Sequence, residues 1–186
     1  AVDIRTWTDP ITGEVLEVVG DQVIEVDPEG VQQVVFSTWD VLEPDGEGRG
    51  SFYGDRVDWT HANSIWIDAA NDTYLITLGH LDMLLEVERE TGTVLRRIDQ
   101  GTHALADGSA PISLPHDGKW TEDDTLLLMT TDVYSFGVEY QVDSQAGTLT
   151  EVQRIGDEAE VYAAAMGEIQ TLDGGGHLLC FGMGGL

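Results

Sequence analysis

The interval from His61 to His116 equals the interval from Gly92 to Gly147, so each histidine precedes its glycine by one constant spacing. A recurring interval of this kind marks a chain built from repeated supersecondary units. Three segments carry one local pattern: VIEVDPEGVQQVV (23–35), LLEVERETGTVLRR (84–97) and EYQVDSQAGTLTEV (139–152). Each is a β-type run, an acidic residue, a short turn ending in glycine, then a second β-type run. That pattern predicts hairpins with Gly30, Gly92 and Gly147 at positive φ, where a side chain would be strained.

Each complete unit holds four strand candidates. The first has ANSIWID (62–68), TYLITLG (73–79), MLLEVE (83–88) and TVLRRI (93–98). The second has GKWTE (118–122), TLLLMT (125–130), GVEYQVD (137–143) and TLTEVQRI (148–155). No segment shows a capped helical period. Four short antiparallel strands per repeat predict an all-β fold of β-propeller type, because a β-sandwich does not usually repeat. The expected organisation is one partial propeller over residues 1–186. A blade remnant covers 6–37, full blades cover 60–99 and 113–155, and a partial blade covers 163–186. Residues 38–58 and 99–113 read as connecting loops. A ring cut short exposes its end faces, so the chain is expected to form a homo-oligomer or to belong to a longer protein.

The charge narrows the partners. Thirty-five acidic residues against eight basic ones give a formal charge of −27, with Lys119 the single lysine. Nucleic acid and anionic membrane surfaces are therefore excluded as partners. No apolar run is long enough to span a bilayer. The Asp-rich turns DPEG (27–30), EPDGEG (43–48) and TEDD (121–124) lack the alternating ligands and closing glutamate of an EF-hand. The acidity thus reads as solvated surface suited to salty surroundings. Cys180, the lone cysteine, sits in the apolar run HLLCFG and reads as a buried structural thiol.

The histidines carry the candidate chemistry. His61 and His116 both fall at the leading end of an innermost strand, where imidazoles on neighbouring blades would converge on one channel. His103 reads as a solvated loop residue and His177 as a turn residue. Trp59, Trp66 and Trp120 flank the two histidines. They are expected to pack between blades, with stacking on an aromatic substrate as the alternative. Two histidines with Asp58 or Asp117 would be the donor set for a metal, but the spacing does not demand one, and the reading calls for no cofactor.

At DWTHANSIWID (58–68) the chain resembles the bacterial aryl-sulfate sulfotransferases. The likeness extends to GDQVIEVDPEG (20–30), YLITLGHLDMLLEVERETGTVL (74–95), SLPHDG (113–118), SFGVEYQVD (135–143) and GEIQTLDGGGHLL (167–179). The resemblance implies a six-bladed propeller, of which about four blades are represented. It also implies a periplasmic or extracellular setting, and transfer of a sulfuryl group between phenols with no nucleotide donor. By the same likeness His116 is the transiently sulfurylated nucleophile. His61 and Asn63 contact the sulfuryl oxygens, and His61 also assists proton transfer. The chain departs from the family at four places. Gly79 stands where the family has an arginine, and Phe136 where it often has another. Pro115 replaces a glutamine, and Met129-Thr130-Thr131 replaces Phe-Asp-Asn. His80 and Lys119 are the local candidates to take over the arginine's contact with substrate. A non-catalytic propeller that binds a ligand or a protein is the rival reading.

Overall fold

The computed structural model describes residues 1–44, 53–163, 165–182 and 184–185. Among them the regular structure is strand with three short 3-10 turns, and no helix is long and apolar enough to cross a membrane. The protein is all-β, with antiparallel sheets stacked one after another in the manner of part of a β-propeller. No closed ring forms among the described strands.

The first sheet comprises β1 (Val2–Thr8), β2 (Val15–Val26) and β3 (Gln32–Ser37), joined by the short β4 (Val57–Asp58), which runs parallel to β2. The second is a four-stranded meander of β5 (Ala62–Asp68), β6 (Thr73–Leu78), β7 (Met83–Glu88) and β8 (Val94–Ile98). In the third, β9 (Ala104–Leu105) lies parallel to β13 (Thr148–Ile155) at the edge of a second meander. That meander runs from β10 (His116–Trp120) through β11 (Leu126–Thr131) and β12 (Ser135–Asp143) to β13. Two small pairs follow: β14 (Tyr162–Ala163) with β17 (Gly184–Gly185), and β15 (Gly167–Thr171) with β16 (His177–Phe181).

The hairpins fall where the repeat predicts them. Gly30, Gly92 and Gly147 have φ of 85°, 70° and 64°, the left-handed region that glycine enters without steric cost. Strands β6 and β11 are buried along their whole length, as befits central strands covered on both faces. The core between the two meanders joins Leu75, Leu84 and Ile98 to Trp120, Leu126, Val138 and Tyr140.

Polar side chains stitch each sheet to the inner strand of the next. Asp21 accepts from the Thr60 hydroxyl at 2.6 Å and from the Ala62 N–H at 2.8 Å. Thr77 accepts from the Gly118 N–H at 3.1 Å, and Asp82 from the Leu114 N–H at 2.8 Å. Asp117 accepts from the Ile169 N–H at 2.8 Å. These bonds satisfy backbone donors that a stack of separate sheets would otherwise leave buried and unpaired. At Gly118 the approach is so close that a Cβ would run into the Leu84 side chain and the Thr77 hydroxyl.

Three expectations change. Cys180 is exposed. Strand β16 alternates between half-buried and exposed positions because only one of its faces is covered, and Cys180 lies on the other. His103 is buried, with 5% of its surface accessible. The Asp99 turn draws it in, because the His103 N–H donates to the Asp99 carbonyl while β9 docks on β13. His177 is the first residue of β16 rather than part of the preceding turn. Of the turn EPDGEG, residues 45–48 lie outside the described residues.

Candidate functional site

The turns that carry the two histidines share an unusual backbone. His61 has φ of 50°; around His116, Leu114 and Asp117 have φ of 43° and 54°. Non-glycine residues seldom occupy this region, and such strain persists only where the surroundings enforce it. Just past each histidine the ladder is irregular. The register of β5 against β6 shifts between Ala62 and Ser64, and that of β10 against β11 between His116 and Lys119. A bulge of this kind re-aims the side chains at a strand's end.

His61 Nδ1 lies 2.8 Å from Asp58 Oδ2, and the Asp58 side chain is only 2% exposed. The hydrogen bond to this carboxylate raises the His61 pKa above its ordinary 6.5 against the opposing effect of burial, and the charges of Asp58 and Asp21 add to the rise. His80 Nδ1 donates to the Asp58 carbonyl at 2.6 Å. The two rings stack, with centroids 4.4 Å apart and planes 13° from parallel. One ligand atom from each of Asp58, His61 and His80 lies within 4.8 Å of the others. Tyr53 stands close enough that the charges of Asp58 and Asp21 add to the effect of burial in raising its phenol pKa.

His116 has the opposite electrostatics. Burial lowers its pKa below 6.5, and positive charge on His61 and His80 lowers it further, although the Leu114 carbonyl opposes the shift. Its Nδ1 donates to that carbonyl at 3.0 Å, and its Nε2 accepts from the Met166 N–H at 3.1 Å. This pattern defines the neutral ring with the proton on Nδ1.

Asn63 joins the two turns. Its amide nitrogen donates to the Pro115 carbonyl at 2.8 Å, and its Oδ1 is buried with no hydrogen-bond partner among the described residues. Gly79 packs against this amide: a Cβ there would fall 2.7 Å from Asn63 Nδ2 and 3.5 Å from His61 Cδ2. Thus His61, His80, Asn63 and His116 gather at one place. Lys119 does not join them, because its ammonium is held by Asp117 at 2.8 Å and by the Ile169 carbonyl at 2.6 Å. A groove lined by Lys119, Trp120, Glu139 and His177 opens near the other end of β10 and includes neither His61 nor His116.

Of the flanking tryptophans, Trp59 is 1% exposed and packs on Trp39 with ring centroids 5.1 Å apart. Trp120 is buried beneath the Arg96 guanidinium, and Trp66 packs against the core between the meanders. Trp59 and Trp120 are interior, and Trp66 is half-buried against that interior. Two residues that matter here carry no signal in the repeat. Asp21 holds the Thr60–Ala62 turn from the preceding sheet, and Asp58 orients His61. The sequence marks Asp58 only as one donor of a metal set, not as the residue that orients His61.

Stacked antiparallel sheets with histidines at the leading ends of adjacent inner strands define a propeller-type protein with an imidazole-centred site. The chain belongs to the arylsulfotransferase (ASST) family, whose model matches residues 4–100, just over half of its length. The matched part includes Asp58, His61, Asn63 and His80; His116 lies beyond it. No curated protein matches the chain.

Proposed function

We propose that this protein transfers a sulfuryl group from an aryl sulfate to a phenol through a sulfohistidine at His116. One observation carries the reading: in a chain of this family, Asn63 bonds to the residue before His116, which couples the signature turn to the candidate nucleophile.

The neutral His116 ring has its lone pair on Nε2. This nitrogen gives up the Met166 N–H and attacks sulfur, an N–S bond forms, and the bond from sulfur to the aryl oxygen breaks. His61, whose protonated form the Asp58 hydrogen bond favours, gives its proton to the departing phenolate. In the second half the acceptor phenol returns a proton to His61, its oxygen attacks sulfur, and the N–S bond breaks. Negative charge on the sulfuryl oxygens needs fixed donors. The second amide hydrogen of Asn63 fills that role in place of the arginine replaced by Gly79, joined by His80 Nε2 when that ring carries its second proton. Lys119, already engaged by Asp117, is not needed for it. The substrates are small phenolic compounds, no cofactor takes part, and the setting is periplasmic or extracellular.

The test is transfer from a chromogenic aryl sulfate. The expected result is that His116→Ala abolishes turnover with the circular dichroism spectrum unchanged, while the parent protein yields a sulfurylated peptide containing His116. Full activity in His116→Ala would refute the mechanism. A second reading, a propeller that binds a ligand without turning it over, draws on the Met166 N–H at His116 Nε2. It predicts aryl-sulfate binding with no sulfurylated peptide.

A further inference from the structure

We propose that Asp58, His61 and His80 form a binding site for a divalent transition metal ion of the zinc class. One donor atom from each of the three falls within 4.8 Å of the others, a span that one ion would bridge once the two stacked rings tilt apart to aim their nitrogens at it. Two imidazoles and one carboxylate are a borderline nitrogen–oxygen set that suits zinc and its neighbours better than calcium or magnesium, which prefer oxygen alone. Three protein ligands would leave a further position for water or another small ligand.

Charge balance points the same way. The Asp58 carboxylate is almost wholly buried, and among the described residues the ion pair it makes is to a histidine, not to a lysine or arginine. Asp21 adds a second carboxylate, close enough to act on His61. When His61 is neutral, the ion pairs of the described residues leave Asp58 a buried anion with no formal positive charge against it, a costly state. A dication between Asp58 and the stacked rings would remove that cost. His80, stacked on His61 and tied by Nδ1 to the Asp58 carbonyl, already has the outer hydrogen bond that typically orients a metal-binding imidazole.

This inference does not depend on sulfuryl transfer. A His61 ring that coordinates an ion through one nitrogen cannot also be the imidazolium that protonates a leaving phenolate. The loaded site and the acid of the proposed reaction are therefore alternative states of His61.

The experiment is calorimetric titration of chelator-treated protein with Zn²⁺, in excess Mg²⁺ so that surface carboxylates do not contribute. Co²⁺ absorption spectra report the ligand set. The expected result is one saturable equivalent, with a tetrahedral or five-coordinate Co²⁺ spectrum. His80→Gln and Asp58→Asn should each weaken binding at least about 10-fold, and His177→Gln should leave it unchanged. His80→Gln decides the matter if Asp58→Asn fails to fold, because His80 is only half-buried. Absence of saturable binding, retention of binding in His80→Gln, or equal loss in His177→Gln would overturn the site. None of these readouts involves turnover, so failure here leaves the sulfohistidine reading untouched.

Discussion

The Asn63 side chain reaches across from one sheet to the next and donates to the Pro115 carbonyl, one residue before His116. The two histidine-bearing turns are therefore one mechanical unit, although they open different sheets and lie a full repeat apart in the chain. Asn63→Ala leaves the Pro115 carbonyl without this donor. The expected cost is about 1–3 kcal/mol in urea unfolding, with a larger fractional loss in kcat than in KM-limited binding. Wild-type stability and turnover in this variant would show the bridge to be idle.

Gly79→Ala tests the same joint from the other side. The new methyl would stand 2.7 Å from Asn63 Nδ2, so the amide must move off Pro115. Overpacking of this kind costs about 1–3 kcal/mol. Thermal unfolding of Gly79→Ala alone and combined with Asn63→Ala should reveal non-additive losses. Strict additivity would mean that the two residues do not interact.

Asp58 raises the His61 pKa chiefly through its hydrogen bond. In metal-free Asp58→Asn protein, the His61 imidazole signals followed by NMR should titrate at lower pH than in the parent. The high-pH limb of turnover should move down with them, because the acid then loses its proton earlier. An unmoved His61 titration would remove Asp58 from this role.

His103 and His116 both have pKa values lowered by burial. Their unfolded forms therefore take up protons at higher pH than their folded forms. Their contribution to stability is complete above the ordinary value of 6.5 and falls as pH drops below it. His61, with its pKa raised, works in the opposite sense and loses its contribution as pH rises through its folded value. Denaturation from about pH 7.5 to about pH 5.5 should show a smaller acid loss in His116→Gln than in the parent. An identical slope would count against a depressed His116.

A formal charge of −27 is a burden on any compact state, and screening relieves it. The melting temperature should rise as NaCl is added, beyond what the few surface ion pairs lose. A fall with salt would mean that attractive pairs outweigh the repulsion.

What could be read from the sequence was local or periodic. Gly30, Gly92 and Gly147 announce themselves because a hairpin turn imposes positive φ wherever it occurs. Likewise β5 to β8 and β10 to β13 emerge from spacing alone, although β10 begins at His116 itself, just ahead of GKWTE. What escaped depends on which faces meet. The run around Cys180 has the composition of a buried strand, but nothing local says that one face of β16 stays open. His103 looks polar and loop-bound until β9 docks on β13. His80 stacks on His61 only because a tight turn follows β6, and Asp21 reaches the Thr60–Ala62 turn from an earlier sheet altogether.

The close approach at Gly118 has a bearing on how such a protein varies. The seat of β10 on the preceding meander is set by direct packing of Gly118 against Thr77 of β6 and Leu84 of β7, not by the length of chain that joins them. Extra residues at the exposed Asp107–Gly108 turn would enlarge the rim while His61 and His116 kept their spacing, so the perimeter is at liberty to diversify around a centre of constant gauge.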